Sequence, residues 1–271
     1  IGGQFNIAKK VPGKEEFHET LRYFGRRVAQ TGVHLRLNTR VSAAELHGFD
    51  DVVLATGIDP RKPDIPGIDH PKVLSYLDVL RDGKPVGQRV AVIGAGGIGF
   101  DVSEYLAHGG AHAADAASVP AAPFYAEWGV DTSYARAGGI AEPHPPASPR
   151  QIWLLQRKTS KVGDGLGKTT GWIHRASLKS RHVKMVAGAS YERIDDAGLH
   201  ITVDGQPQLL EVDNVVICAG QEPQRELLAA CLAVGQRVHL IGGADVAAEL
   251  DAKRAIKQGT ELAASLETAT P

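Results

Sequence analysis

The sequence predicts an α/β chain built from two related parallel-sheet units, and three observations lead there. The first is an internal repeat. Asp50 to Arg61 (DDVVLATGIDPR) and Asp213 to Gln224 (DNVVICAGQEPQ) each carry a β-branched apolar run that ends in a glycine, Gly57 or Gly220, with a proline three residues later. Such a run reads as a buried parallel strand whose C-terminal end turns sharply beside a ligand crevice. The second observation is Gly94-Ala95-Gly96-Gly97-Ile98-Gly99, a G-x-G-x-x-G turn between the two copies. The third is that this turn occurs only once. Both units are therefore expected to be Rossmann-like and nucleotide-binding, with the first lacking its own opening strand and glycine turn.

Phe17, Leu21, Phe24 and Val28 fall at spacings of four, three and four, which predicts an amphipathic helix over about 14–31, closed by Thr31-Gly32. Val33, Leu35 and Leu37 alternate with His34, Arg36 and Asn38, predicting a strand over 33–41 with one wetter face. The first repeat strand follows, and Lys62-Pro63-Asp64-Ile65-Pro66-Gly67 marks a crossover where prolines forbid regular helix. A short buried strand at Val90–Ile93 enters the glycine turn, and a helix continues through Phe100 to Ala107. Residues 108–149, rich in Ala, Gly, Pro and His, read as an insertion with one short helix near Phe124 to Trp128.

Beyond it come a buried strand at Ile152–Leu155, a Gly-rich turn at 163–167, a helix near 170–180 and a strand at 183–186. Hairpin turns at Asp195–Gly198 and Asp204-Gly205 precede the second repeat strand. The last unit is strand 238–241, the turn Gly242-Gly243-Ala244-Asp245, and a helix from about 247 to 266.

With 271 residues and 43% hydrophobic content the chain can bury a sizeable core, which excludes the disordered and fibrous classes. Thirty basic against 31 acidic residues give a net charge of -1, so no global field favours nucleic acid or an anionic membrane. Cys218 and Cys231 are the only cysteines, too few for a disulfide framework, a zinc site or an iron–sulfur cluster. A reducing cytoplasm suits that composition. No apolar run reaches the roughly 20 residues of a membrane span, and no signal peptide is present. The first residue is Ile1 and the single methionine is Met185, which reads as truncation or processing. The 11 histidines include no H-E-x-x-H, and no metal site is expected.

In the glycine turn, Gly94 permits the tight bend, Gly96 lets backbone approach a pyrophosphate, and Gly99 lets helix and strand pack closely. An NAD site places an acid at the end of the following strand, where it bonds the ribose hydroxyls. Here that strand ends in Gln156-Arg157-Lys158. Arg157 and Lys158 either receive the 2′-phosphate of NADPH or form a solvated basic strand end. Gly167-Lys168-Thr169 resembles the end of a phosphate-binding P-loop, but Val162 stands where its first glycine is required. That loop, with Lys168 and Trp172, lines the adenosine end of the nucleotide or is ordinary loop and core. Gly242, Gly243 and Asp245 either hold a flavin's phosphate and ribityl chain or form a plain helix cap. Cys218, inside an apolar strand, reads as a packing residue.

Taken together, Ile1 to Asn6, Val52 to Arg61, Gly94 to Gly99, Leu155 to Lys158, Gly167 to Arg175 and Ile241 to Gly243 resemble the two-dinucleotide flavoprotein fold of glutathione-reductase type. More specifically, they resemble the C-terminal part of the bacterial NADPH-dependent 2,4-dienoyl-CoA reductase family. The likeness runs along essentially the whole chain, insertion included. It implies two interleaved domains: a partial FAD domain from 1–61 and 226–271, and an NADPH domain from 62–225. Members of that family also carry an N-terminal barrel with FMN and the dienoyl-CoA site, and a four-cysteine segment holding a 4Fe-4S cluster. Those parts of the same polypeptide, together with the nucleotides, are the implied partners.

The resemblance carries Gly3, Gln4, Thr56, Gly57, Gly242, Gly243 and Asp245 to the flavin. The glycine turn (Gly94, Gly96, Gly97, Gly99), Arg157, Lys158, Lys168 and Trp172 go to NADPH, and Gly220 marks the second crossover. Hydride transfer between two bound cofactors requires alignment rather than a side-chain acid or base, so no catalytic residue is named. A disulfide reductase of the same fold would need a Cys-x-x-Cys pair, which is absent. A non-catalytic NADP-binding domain stays open, as does the reductase module of a trimethylamine-dehydrogenase-like or enoate-reductase-like enzyme.

Overall fold

Apolar β-branched runs form the strands, and spaced apolar stripes the helices, of the computed structural model, which describes residues 1–109, 120–248 and 252–267. A short helix α1 (Phe5–Ala8) precedes α2 (Phe17–Gln30), which stops before Gly32 in the left-handed region at φ 70°. Strands β1 (Asp51–Leu54), β2 (Ile58–Pro60) and β3 (Val73–Ser75) follow, then α3 (Tyr76–Leu80), opened by a capping box in which Ser75 and Asp78 exchange hydrogen bonds. Next come β4 (Arg89–Ile93), α4 (Gly97–Ala107), α5 (Ala121–Trp128), β5 (Gln151–Leu155), α6 (Gly171–Ser180) and β6 (Lys184–Val186). A meander of β7 (Ser190–Asp195), β8 (Gly198–Val203) and β9 (Gln206–Leu210) turns where both hairpins are expected. The chain ends with β10 (Asn214–Ile217), β11 (Gln221–Pro223), α7 (Leu228–Ala233), β12 (Arg237–Leu240) and α8 (Ala252–Glu267).

One compact unit comprises residues 2–27 and 62–219. Its parallel sheet has the order β3-β10-β4-β5-β6. Val90, Ala91, Val92 and Ile93 are all 0% exposed, which explains why β4 reads as an unbroken apolar run rather than an alternating one. Phe100, Val102 and Leu106 of α4 and Leu178 of α6 pack with Val90, Val92 and Leu154 in one core cluster. Ile194, Leu199 and Ile201 of the meander pack with Ala91, Ile93 and Leu155 in another. Each fully buried Leu or Ile contributes about 1.5–3 kcal/mol relative to exposure.

Residues 2–27 pack with this unit, although the sequence places 1–61 in the first domain. Ile7 joins the α4 core cluster, the Lys10 ammonium donates to the Leu80 carbonyl at 2.6 Å, and Lys14 pairs with Asp101 at 2.7 Å. An amphipathic pattern shows that a helix has an apolar face without showing which sheet receives it.

The other unit comprises Ile1, 28–61 and 220–271. β1 pairs in parallel with β12, Asp51 opposite Arg237 through Leu54 opposite Leu240. β2 pairs antiparallel with β11, so the tails of the two repeats bind one another. The Gln224 N–H donates to the Gly57 carbonyl at 3.0 Å, and the Arg61 N–H donates to the Gly220 carbonyl at 3.1 Å. The pairing is reciprocal, as the repeat itself is.

Three expectations are corrected. The strand over 33–41 does not form: Val33, Leu35 and Leu37 are 56%, 49% and 58% exposed, Asn38 adopts φ 51°, and no strand among the described residues pairs with the segment. Alternation makes a strand only where a sheet accepts its apolar face. In the insertion, residues 110–119 lie outside the described residues. Its helix α5 starts at Ala121 rather than Phe124 and ends at Gly129 in the left-handed conformation, while Val130 and Ile140 form a bridge beyond it. The last helix does not include residues 247 and 248, since a 3-10 turn at Gly242–Ala244 and a non-helical stretch to 248 follow β12; helix is described over Ala252–Glu267, and residues 249–251 lie outside the description.

Candidate functional site

From β4 the chain passes through α4 to β5 on one side, while β10 flanks β4 on the other. Strand order reverses between β4 and β10, and an open α/β sheet places its ligand crevice at the carboxyl ends of such a pair. The glycine turn stands at that point. Gly94, at φ 106°, donates its N–H to the Leu155 carbonyl at 2.9 Å, and a Cβ there would come within 2.5 Å of the Cys218 carbonyl. A methyl at Gly99 would overlap the Gly94 carbonyl oxygen and sit 3.4 Å from Leu154. Those two glycines serve close packing.

Gly96 and Gly97 differ, since a Cβ on either would enter open space. Beside that space lie the first-turn N–H groups of α4, with no acidic residue in the turn. Backbone donors and the positive end of the helix dipole there suit a pyrophosphate.

β5 ends at the neighbouring position. The side-chain amide of Gln156 donates to the carbonyls of Lys158 at 3.0 Å and Ser160 at 2.6 Å. Three backbone bonds dock the same loop onto the turn after β6: Gln156 N–H to Val186 O, Gly188 N–H to Lys158 O, and Ala189 N–H to Gln156 O. Arg157 and Lys158 are exposed, and the ion pairs among the described residues include neither. Burial lifts the Tyr191 phenol to about 12, and the nearby Arg157 guanidinium opposes that rise.

The Gly-rich loop packs on α4. Gly163, at φ 78°, lies so close to the Phe100 ring that a Cβ would be 2.6 Å from Cζ, and Arg175 donates to the Gly163 carbonyl at 2.9 Å. Val162, at the position a P-loop would give to glycine, is buried in the core. α6 opens at Gly171 at the carboxyl end of the sheet, with Lys168 exposed and Trp172 60% exposed.

Behind the turn lies a polar group that the sequence does not disclose. The Ser177 hydroxyl donates to Glu104, whose carboxyl is raised by burial. Arg181, 4% exposed, donates to the Glu127 carboxylate at 2.7 Å and to the Pro146 carbonyl at 3.1 Å. Glu127 and Pro146 of the insertion thus meet the buried Arg181 guanidinium.

In the other unit, Thr56, Gly57, Gly242, Gly243 and Asp245 come together. A Cβ on Gly243 would be 2.7 Å from Ile58 Cγ2 and 3.1 Å from the Gly57 carbonyl carbon. The Thr56 hydroxyl donates to the Gln224 carbonyl at 2.6 Å. Gln258, unmarked in the sequence, accepts from the Gly242 N–H at 2.7 Å and donates to the Asp245 carboxylate at 2.8 Å. Arg225 donates to the Ala244 carbonyl at 2.6 Å and to that of Asp245. Asp245 closes the 3-10 turn and is not the N-cap of α8. Gly3 and Gln4 belong to the first-described unit, where Gln4 precedes α1 and both are exposed.

Cys218 and Cys231 are both buried and free, and burial pushes the Cys218 thiol far up. Among the described residues, no three His, Cys, Asp or Glu side chains gather to hold a metal, and no helix is long and apolar enough to cross a membrane.

The family model described as pyridine nucleotide-disulphide oxidoreductase matches residues 22–251. A cinnamate reductase of Clostridium sporogenes is 35% identical over 242 residues, 87% of this chain and 30% of its own length. A metal reductase of Desulforamulus reducens is 25% identical over 259 residues, covering 90% of this chain and 36% of its own. The solved structure of a 2-naphthoyl-CoA reductase with 2-naphthoyl-CoA matches 96% of this chain and 34% of that one, with a TM-score of 0.76 at 24% identity, a likeness of fold. The chain spans about a third of the length of these relatives.

Proposed function

The chain belongs to the pyridine nucleotide-disulphide oxidoreductase family, a family of FAD and nicotinamide nucleotide enzymes, and from that premise we propose that it is the electron-input module of a flavoprotein reductase that takes NADPH. The observation that carries this is the glycine turn at the β4/β10 reversal, open at Gly96 and Gly97 and flanked by Arg157 and Lys158 on the next strand end. The donor set fits the group: backbone N–H for the pyrophosphate, and two cations with no acid at the strand end for the 2′-phosphate. Lys168 and Trp172, exposed where α6 begins, flank the adenosine.

On the flavin side, Gly57 and Gly243 leave backbone close to backbone, and Gln258 fixes Asp245 and Gly242 together. This strand-end turn would hold the ribityl and phosphate part of FAD. When bound, NADPH supplies a hydride and FAD accepts it. Hydride transfer between two such cofactors needs alignment and exclusion of water rather than a side-chain proton relay. Cys218 and Cys231 are both buried and free and form no Cys-x-x-Cys pair, so they offer no disulfide route.

Beyond the flavin, the resemblance favours 2,4-dienoyl-CoA of unsaturated fatty acid β-oxidation as terminal acceptor. Electrons would reach it through a 4Fe-4S cluster and FMN on other parts of the polypeptide. The relatives carry three different acceptors in their names, a metal, a cinnamate and a 2-naphthoyl-CoA, which supports an input module shared among reductases whose acceptor is chosen elsewhere.

Arg157→Ala tests the nucleotide choice. A charge-assisted hydrogen bond contributes about 1.5–3 kcal/mol, so calorimetric titration should show the NADPH dissociation constant rising at least about tenfold. The NADH constant should stay within about threefold. Equal losses for both nucleotides, or no loss for either, would remove the 2′-phosphate from this strand end.

A further inference from the structure

We propose that Gln156 is a positioning residue that holds Arg157 and Lys158 as a fixed cationic pair and thereby sets the preference of this site for a 2′-phosphorylated dinucleotide. The inference rests on the nucleotide reading above and deepens it. Gln156 occupies the strand-end position where an NAD site carries its ribose-binding acid. Its side chain turns instead into its own loop, donating one N–H to the Lys158 carbonyl at 3.0 Å and one to the Ser160 carbonyl at 2.6 Å. Both amide donors are thereby used, and residues 156–160 close into a ring.

Backbone bonds to Val186, Gly188 and Ala189 anchor that ring to the end of β6. Gly188 at φ 69° makes the turn that receives it, and a Cβ at Gly188 would sit 3.5 Å from the Thr159 methyl. With Lys158 O accepting from both Gln156 and Gly188, the peptide that carries the two cations is held from two sides. The side chains of Arg157 and Lys158 stand exposed on that held backbone, where a phosphate can meet them. Holding long cationic side chains on a fixed backbone reduces the entropy lost on binding a phosphate, and the absence of an acid leaves their charge undiminished.

A carboxylate in the same place would reverse both effects. It would face two carbonyl oxygens with no proton to donate, so the ring would open, and it would place a negative charge beside a 2′-phosphate.

The test is calorimetric titration of the full chain with NADPH and with NADH separately, using Gln156→Met and Gln156→Glu. Gln156→Met keeps the length and removes both donors. The NADPH constant should rise about three- to tenfold, while the NADH constant stays within about twofold. Gln156→Glu should weaken NADPH by at least about thirtyfold and bring the NADPH:NADH preference to parity or below. Equal losses for the two nucleotides in Gln156→Met would make Gln156 a general structural residue and overturn the proposal. So would an unchanged preference in both variants. Arg157→Ala separates the two levels: if it weakens NADPH selectively while the Gln156 variants keep the wild-type preference, the phosphate reading stands and the role of Gln156 falls.

Discussion

At the scale of single residues, the glycine turn divides into positions that pack and positions that leave room, and substitution distinguishes them. Gly96 adopts φ -84° and a Cβ there meets nothing within 4 Å, so Gly96→Ala should fold with an unchanged melting temperature. On the proposed reading its methyl would stand where the pyrophosphate approaches, so NADPH affinity should drop by about tenfold or more. Gly99→Ala should do the opposite kind of damage. Its methyl would overlap the Gly94 carbonyl, and such overpacking costs about 1–3 kcal/mol or more of stability, read as a lower urea midpoint. Normal NADPH binding by Gly96→Ala would displace the nucleotide from the turn.

The division of labour was legible in the sequence, because G-x-G-x-x-G after a strand is a backbone requirement written in side chains. Gln156 and Gln258 were not legible. An amide's role depends on which carbonyl or carboxylate it reaches, and residues such as Ser160 or Asp245 come within reach only after the loop or turn has folded.

At the scale of elements, buried strands and hairpins followed directly from composition, whereas edges and insertions did not. β4, β5 and β10 are apolar on both faces and could only be interior strands; β2 and β11 are three residues each and read as turns until their pairing is seen. The segment 33–41 shows the converse, an alternating pattern with no neighbouring strand among the described residues to accept it. Among its described residues, the insertion is tied down by buried charge more than by apolar area. Phe124, Tyr125 and Trp128 of α5 are 47%, 37% and 37% exposed, while Arg181 is buried against Glu127 and the Pro146 carbonyl.

Removing one partner of a buried ion pair costs about 3–5 kcal/mol, because the other is left uncompensated. Glu127→Ala should therefore release α5, and limited proteolysis should cut within 120–149 at least about tenfold faster than in the parent chain, with the rest of that unit intact. Unchanged cleavage would place the anchor of the insertion elsewhere.

At the scale of the whole molecule, the two units differ in how much core they own. The unit of residues 2–27 and 62–219 contains both large buried clusters, one on each face of a five-stranded sheet. In the other unit the buried apolar residues, among those described, are Val52, Leu54, Ile58, Cys231 and Ala244. Val33, Leu35, Leu37, Phe49, Leu232 and Ile256 of the same unit are each about half exposed or more. A two-stranded sheet with so little burial is marginal in water. Calorimetry of the chain should therefore show two transitions, the smaller unit melting first and binding a hydrophobic dye as it does. NADPH at about 100 times its dissociation constant stabilises the state that binds it by about 2.7 kcal/mol. For a unit of this size that raises the second transition by roughly 5–10 °C, while the first stays where it was. Should both transitions rise together, or should one cooperative transition move as a whole, the nucleotide site would be coupled to the entire chain rather than contained in the unit that holds the glycine turn.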